Sequence, residues 1–579
     1  MPNMIQNAKD SISQILNAAY QKAAEKGELP AGAALSGTVE IPKDSANGDF
    51  AANHAMAGAK ALHMAPRKIA ESLIANADLA DTWFASVEVA GPGFINFRLA
   101  DRWYADVLQA VTREGADYGR SDIGHGQKVM VEFVSANPTG PMHMGNARGG
   151  VLGDALASVL DRAGYQVWRE FYVNDAGNQI EKFANSIDAR YQQLLLGEEQ
   201  VAFPEDGYHG DDIKDLAKLF YEANGDKYLT VPVAERHQAM AEFGLQRNIP
   251  KMQEDLRRYG IEYDQWFFES ELHESGYVAE SVQKLTDRGY TYEKDGALWL
   301  KTSQILAEQL LKAGKKQEEI DKLELKDDVL RRANGFYTYF AADIAYHRNK
   351  LEKRGFDKVI NVWGADHHGH VARLKGAMDA LGLDGEHRLD IVLMQLVKLT
   401  RNGEVGRMSK RTGKAISLTD LLDEIPVDAA RYFFNSRPES PVEFDLELAI
   451  RQDSENPVYY VQYAHARICT LLSALAAEGH TVPASADAAL LSTAEEKELI
   501  KQLAALPEEI RLAARDYDPS RINRYVTELA ARFHRFYTVC RIKGAESDVQ
   551  AARLLLADCV RRVIAVSLGI IGVTAPEKM

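Results

Sequence analysis

Three short segments carry the residue types and spacings best suited to chemistry. The first is Pro141-Met142-His143-Met144-Gly145-Asn146, which follows the apolar, β-branched run KVMVEFVSA and precedes a helical stretch opened by Ala147 and Arg148. A loop at the carboxyl end of a buried parallel strand is where doubly wound sheets bind ligands. The N-terminus of the next helix presents unpaired N–H groups and a positive dipole end to phosphate. His143 is placed there to donate to a phosphate oxygen as charge builds in a transition state, and Gly145 lets a flat ring approach the backbone. The second segment is Arg407-Met408-Ser409-Lys410-Arg411, followed by Thr412, Gly413 and Lys414. Four cations in eight residues, flanked by Gly403, Gly406 and Gly413, suit a mobile phosphate clamp. It is not a P-loop, because GxxxxGK[ST] occurs nowhere in the chain. The third, WGADHHGH, follows the strand-like KVINV and holds Gly364, Asp366, His367, His368 and His370. Imidazole and carboxylate invite a metal. Three histidines within four residues of a regular strand cannot all face one ion, however, and no distant fourth ligand is marked. A strand-end Asp366 on a ribose hydroxyl, with His370 nearby, is the stronger reading, and no protein-bound metal is expected.

The elements that must position these residues change character along the chain. At 579 residues the protein holds three or four domains. Residues 1–120 read as an α+β module: an amphipathic helix, the strand-like SGTVEIPKD, a small-residue helical stretch, and VEVAGPGFINFRLA, a strand pair or bulged strand around Gly-Pro-Gly. Residues 121–440 alternate strand, loop and helix, as in βαβ units, with a polar helical insertion at about 187–255. The run DIVLMQLVKL closes this α/β pattern as a strand, GALWLKTS resumes it after the insertion, and the cationic loop follows. From about 440 strands vanish, and residues 441–579 read as an all-α helical bundle. The expected fold is therefore α/β: a Rossmann-type doubly wound parallel sheet between an N-terminal α+β module and a C-terminal helical bundle.

Charge and cysteine content exclude several classes. Sixty-eight basic against 84 acidic residues give −16, so no overall basic field draws the chain to nucleic acid or anionic lipid. Residues 455–579 hold 15 basic and 15 acidic residues, which puts the whole excess upstream. Between Arg511 and Lys543 eight basic residues face three acidic ones, a local +5. Arg521, Arg524, Arg532 and Arg535 share one face there, with Glu528 among them, while Ile522, Val526, Leu529, Phe533, Phe536 and Cys540 mark the other as core. Three cysteines, none in a CxxC pair, give neither a disulfide framework nor a thiolate zinc site. A charged N-terminus and no apolar run near 20 residues point to a cytoplasmic protein.

Together the segments resemble the class I aminoacyl-tRNA synthetases, whose HIGH and KMSKS signatures correspond here to HMGN and RMSKR. The closer resemblance is to the bacterial arginyl-tRNA synthetases, on VEFVSANPTGPMHMGN, FYVNDAGNQI, YTYFAADIAYHRNK, GADHHGH, RMSKRTGK, GPGFINF, NPVYYVQYAHARI and GVTAPEKM. Asn146 departs from the last His of HIGH, Arg407 from the first Lys of KMSKS, and Arg411 from its closing Ser. An amide still donates a hydrogen bond, and Lys410 keeps the second lysine. The resemblance implies ATP, with Mg²⁺ arriving on it, L-arginine and tRNA(Arg) as ligands, a monomer, and no membrane. It assigns catalysis to His143, Asn146 and Lys410, and ATP to these with Gly145, Gly364, Asp366, His370, Met408 and Ser409. Arginine falls to Glu132, Ser135, Asn137, Tyr339, Asp343 and His367, and tRNA to Arg521, Arg524, Arg532 and Arg535 on the anticodon-binding helices. Two other readings stay open: a tRNA-binding paralogue without activation, and a small nucleotidylyltransferase. The intact His143, Lys410 and Asp366 argue against the first, and the helical tail against the second.

Overall fold

The computed structural model describes residues 3–395, 397–401, 404–405, 416–436 and 442–579. Its centre is a sheet of five parallel strands, β1 (Lys128–Glu132), β2 (Gln166–Val173), β3 (Gln265–Phe268), β4 (Lys358–Gly364) and β5 (Leu389–Met394), in the order β5-β4-β1-β2-β3. Val129, Met130 and Val131 of β1 are at most 1% exposed, because both faces of a parallel sheet are covered. The chain builds outward from β1 to β3, then returns to the other side of β1 for β4. The crevice between the carboxyl ends of β1 and β4 is therefore the topological switch point, where such sheets bind ligands.

Helix α1 (Met144–Arg162) joins β1 to β2. It lies against the end of β1 because Gly153 has no side chain: a Cβ there would stand 2.1 Å from the Phe133 ring. Between β2 and β3 come the helices Asn178–Leu196, Asp211–Asn224 and Val233–Arg258, with a small core of their own around Phe183, Tyr191, Phe220 and Met240. Helix α2 (Tyr339–Arg348) precedes β4, and α3 (His368–Ala380) connects β4 to β5.

The N-terminal module packs the helix Met4–Glu25 with a four-stranded sheet, in which Phe84–Ala90 and Phe94–Leu99 form an antiparallel hairpin with a bulge near Ser86. At the other end, α4 (Pro457–Ala477), α5 (Ala494–Asp516), α6 (Ser520–Val539) and α7 (Ser547–Ile570) make the helical bundle. The six apolar positions of the Ile522–Cys540 stripe are 0–2% exposed.

Three local expectations change. DIVLMQLVKL is two strands in different sheets, because the chain breaks after Met394 and Val397–Arg401 pairs instead with Val442–Asp445. That second pairing also corrects the expectation that strands end near 440. The stretch Ala297–Leu300 belongs to an antiparallel meander with Thr291–Lys294 and Asp328–Arg331, not to the parallel sheet. Its hairpin turns on Asp295-Gly296, both at positive φ, the Asp-Gly signature of a tight β-turn.

Candidate active site

His143 is the N-cap of α1, in extended geometry at φ −101° and ψ 173°. Its backbone N–H donates to the Asn146 side-chain Oδ1 at 2.9 Å. Asn146 thus spends its oxygen holding the helix end, and its amide nitrogen makes no hydrogen bond among the described residues. His143 and Gly145 are exposed, and a Cβ at Gly145 would meet nothing within 4 Å. The sequence has built an open helix N-terminus facing the crevice.

Both flanks of the cationic segment run to this helix. Upstream, Arg148 of α1 donates to the Gln395 carbonyl at 2.6 Å, and a Cβ at Gly149 would sit 3.2 Å from the Met394 methyl. Downstream, Ser417 pairs antiparallel with His143, and the Leu418 N–H donates to the Met142 carbonyl at 2.9 Å. Arg407, Met408, Ser409, Lys410 and Arg411 themselves lie outside the described residues.

On the β4 side, Gly364 ends the strand opposite Met394, and Asp366 sits in the turn Ala365–His367. His367 is exposed, with its ring 5.8 Å from Trp363. His370, expected beside the nucleotide, is on the first turn of α3 and reaches α2. Its Nε2 is 2.8 Å from Asp343 Oδ2, and its Nδ1 is 3.1 Å from Arg373 Nη2. A guanidinium can only donate, so Nδ1 accepts and Nε2–H donates to Asp343. Arg373 is anchored in turn on Asp328 at 2.6 Å. The structure thus joins His370 to the residues expected around the amino acid.

Those residues surround the end of β1. Val134 and Ser135 have φ of +70° and +43°, a conformation a β-branched residue seldom adopts and one that concentrates at functional sites. The Ser135 hydroxyl donates to Glu132 Oε1 at 2.8 Å and accepts from the Tyr172 N–H at 3.2 Å. Asn137 is exposed, Tyr339 is 44% exposed at the start of α2, and Asp343 lies one turn further on. Burial opposes ionisation of Asp343, but the His370 hydrogen bond and the surrounding positive charge outweigh it and hold the carboxyl below its ordinary range.

Beneath the carboxylates runs a buried polar chain that the sequence reading did not include. Lys350 pairs with Glu132 and lies 3.3 Å from Asn361 Oδ1; Asn361 Nδ2 donates to His347 Nε2 at 2.7 Å; and His347 Nδ1–H donates to the Asp343 carbonyl at 2.8 Å. Burial, reinforced by the Lys350 charge, pushes the His347 pKa down to about 3. An unfolded histidine binds its proton near pH 6.5, so the unfolded state gains protons first as pH falls and stability is lost from about pH 6.5 toward pH 3. Between pH 7 and pH 5 this one group is expected to cost about 2 kcal/mol. Urea midpoints at the two pH values test it, and His347→Gln should shrink the loss; an equal loss in both proteins would place its origin elsewhere.

In the helical bundle the predicted arginines are largely engaged. Arg521 faces Glu509, Asp516 and Asp518, Arg524 pairs with Asp518, and Arg532 pairs with Glu498 and Glu528. Arg535 is exposed and has no ion-pair partner among the described residues. Next to it is an aromatic array that sequence reasoning missed. Tyr459 and Tyr463 of α4 stack 6.2 Å apart at 9°, with Tyr463 40% exposed. His534 stacks on Tyr463, and the Arg467 guanidinium lies 5.9 Å from the Tyr463 ring and 4.1 Å from Tyr537. Beside it Tyr459, Ile450, Gln462 and Met579 line a cleft of about 300 Å³. The i, i+4 spacing of the two tyrosines was the available signal, but it is also what a buried face looks like.

A parallel sheet that brings a histidine-capped helix and both flanks of a cationic loop to one switch point has the catalytic architecture of the class I tRNA synthetases. Residues 107–442 match the family model for the tRNA synthetases class I (R) catalytic domain, residues 6–99 that for the arginyl tRNA synthetase N terminal domain, and residues 461–579 that for the DALR anticodon binding domain. The chain is 52% identical to the arginine–tRNA ligase of Acetivibrio thermocellus and 54% identical to that of Caldanaerobacter subterraneus, in each case over 100% of both chains. The fold is shared with the arginyl-tRNA synthetase of Thermus thermophilus at a TM-score of 0.73 and 21% identity, covering 99% of this chain and 100% of that one. This chain belongs to the arginyl-tRNA synthetase family. Among the described residues no helix is long and apolar enough to cross a membrane.

Proposed function

We propose that the crevice between β1 and β4 activates L-arginine with ATP, and that the same chain then passes arginine to the 3′ end of tRNA(Arg). A carboxylate oxygen of arginine attacks the α-phosphorus of ATP in line, the bond to the β-phosphate bridge breaks, and pyrophosphate leaves. No covalent enzyme intermediate forms, and positioning and charge stabilisation supply the acceleration. The ATP subsite comprises the open α1 terminus with His143, Gly145 and Asn146, the turn with Gly364 and Asp366, and the loop with Met408, Ser409 and Lys410. The observation that carries this reading is the backbone pairing of Ser417 with His143, which brings the chain just past the cationic segment to the N-terminus of α1. Among the described residues no group of three metal-ligating side chains is assembled, and Mg²⁺ enters on the ATP phosphates. The protein acts as a cytoplasmic monomer. ATP–pyrophosphate exchange with each amino acid, with and without tRNA, tests the proposal: arginine alone should support it, and exchange with another amino acid in its place would overturn it.

Arginine is read by Asp343 and Tyr339 on α2 and by Glu132 on β1, with Ser135, Asn137 and His367 holding its amino and carboxylate groups. A planar fork of donors suits a fixed carboxylate, and the point charge of lysine does not match it. Replacing Asp343 with Asn is expected to cost about 2 kcal/mol or more, roughly a 30-fold rise in arginine KM. Unchanged arginine KM would show that the pocket lies elsewhere.

For tRNA, the exposed tyrosine stack supplies π faces for unpaired bases, with Arg535 and Arg467 supplying charge; Arg521, Arg524 and Arg532 contribute through their ion-paired network. Tyr463→Ala is expected to weaken tRNA binding by about 1–3 kcal/mol with the salt dependence intact. Arg535→Gln should instead make the slope of log K against log salt shallower by about 1. Tyr463→Ala binding tRNA with wild-type affinity would return the tyrosines to a packing role.

A further inference from the structure

Lys350 is completely buried, 0% exposed, on the π-helical turn Asn349–Lys353 that ends α2. Lysine is almost never fully buried without a partner, and π-turns recur at functional sites. Its three donor directions are all taken: Glu132 Oε2, Asn361 Oδ1 at 3.3 Å, and the face of the Tyr346 ring at 4.0 Å. The ammonium is therefore fixed in place. Glu132 is in turn held at both oxygens, by Lys350 on one and by the Ser135 hydroxyl on the other. Ser135 belongs to the strained turn that leads to Asn137. One buried cation thus sets the carboxylate, the serine and the turn lining one wall of the crevice.

The charges point the same way. Two carboxylates, Glu132 and Asp343, face the amino-acid pocket, and Lys350 neutralises the first. Asp343, the second, is held at Oδ2 by His370. We propose that Lys350 is a positioning residue of the amino-acid pocket: its buried ammonium fixes the Glu132 carboxylate and the Ser135 turn against which arginine is read. This inference rests on the arginine pocket described above.

The experiment uses the full chain with tRNA(Arg) present, and measures kcat and KM for arginine and for ATP in pyrophosphate exchange, together with thermal midpoints. Lys350→Met keeps the length of the side chain and removes its charge. It is expected to raise arginine KM about tenfold or more, because an uncompensated buried carboxylate shifts or neutralises, while ATP KM stays within about twofold. Lys350→Arg, which restores a cation for Glu132, should recover part of the loss. Glu132→Gln combined with Lys350→Met should be no worse than the poorer single variant, since Lys350 acts through Glu132. If Lys350→Met fails to fold, Lys350→Gln, which keeps a donor without the charge and leaves Glu132 intact, carries the comparison: raised arginine KM supports the proposal and wild-type KM overturns it. A lowered thermal midpoint with unchanged arginine KM in Lys350→Met would leave a merely structural lysine and overturn the proposal, as would strictly multiplicative effects in the double variant. Asp343→Asn separates the two levels. If it leaves arginine KM unchanged, the pocket reading fails and the inference with it; if it raises KM while Lys350→Met does not, the inference alone fails.

Discussion

Replacing His143 with alanine is expected to slow ATP–pyrophosphate exchange by about 10²–10³-fold, and Lys410→Ala by the same order, the usual cost of one preorganised donor to developing charge. The histidine substitution leaves the main-chain contacts of the helix end in place. The Asn146 side-chain Oδ1 accepts from the His143 backbone N–H, and Ser417 pairs with the His143 backbone; alanine at 143 supports both in the same extended conformation. What is lost is a side-chain donor exposed over the α1 terminus. Such a donor matters most when pyrophosphate departs, so the loss should fall on kcat, with KM for ATP and for arginine within a few-fold of wild type. Asn146→Ala probes the other half of the arrangement: it removes the cap, and should lower the thermal midpoint as well as the rate. Exchange within a few-fold of wild type for His143→Ala would remove His143 from the chemistry.

The parts of this design legible in the sequence are those where local pattern and global fold agree. KVMVE is a strand in any context that buries both faces, the glycines after His143 announce a helix pressed against it, and WGADHHGH follows an apolar run of the kind that pairs beside β1 in a parallel sheet. Long-range pairing decides the rest. The break at Gln395 is invisible, because Val392, Leu393 and Met394 on one side and Val397 and Leu399 on the other form one apolar run, and only the arrival of Val442–Asp445 assigns the second half elsewhere. Lys350 reads as a solvated charge near the end of a helix; its burial follows from Glu132, 218 residues away. The arginines of α6 read as a free basic face because Glu498 and Glu509, which engage Arg532 and Arg521, lie on α5. His370 reads as a neighbour of the nucleotide beside Asp366 because the sequence does not show where the strand stops and α3 begins.

Arg431 has the same hidden character. Its guanidinium is 0% exposed and is shared among three segments. It pairs with Asp154 on α1, and donates to the Tyr259 and Gly260 carbonyls at 3.0 and 3.1 Å where the insertion returns to the sheet. It also donates to the Ile571 carbonyl at 3.2 Å, just past α7. Gly572, at φ +65°, makes room for it: a Cβ there would stand 2.0 Å from Arg431 Nη2. Arg431→Met removes the cation and leaves three buried carbonyls without this donor, while Asp154 keeps Arg169 at 3.2 Å. Breaking such a buried pair costs about 3–5 kcal/mol. The loss should appear as a lower urea midpoint and as separation of the C-terminal helices from the rest of the transition, followed by tryptophan fluorescence and circular dichroism together. Arg431→Lys should fall between, because a point charge cannot reach four acceptors in the plane of a fork. Gly572→Ala keeps every charge and fills the space instead, so it should reproduce the separation by displacing the guanidinium. Coincident, unshifted transitions in Arg431→Met would mean that Arg431 does not couple the bundle to the catalytic sheet.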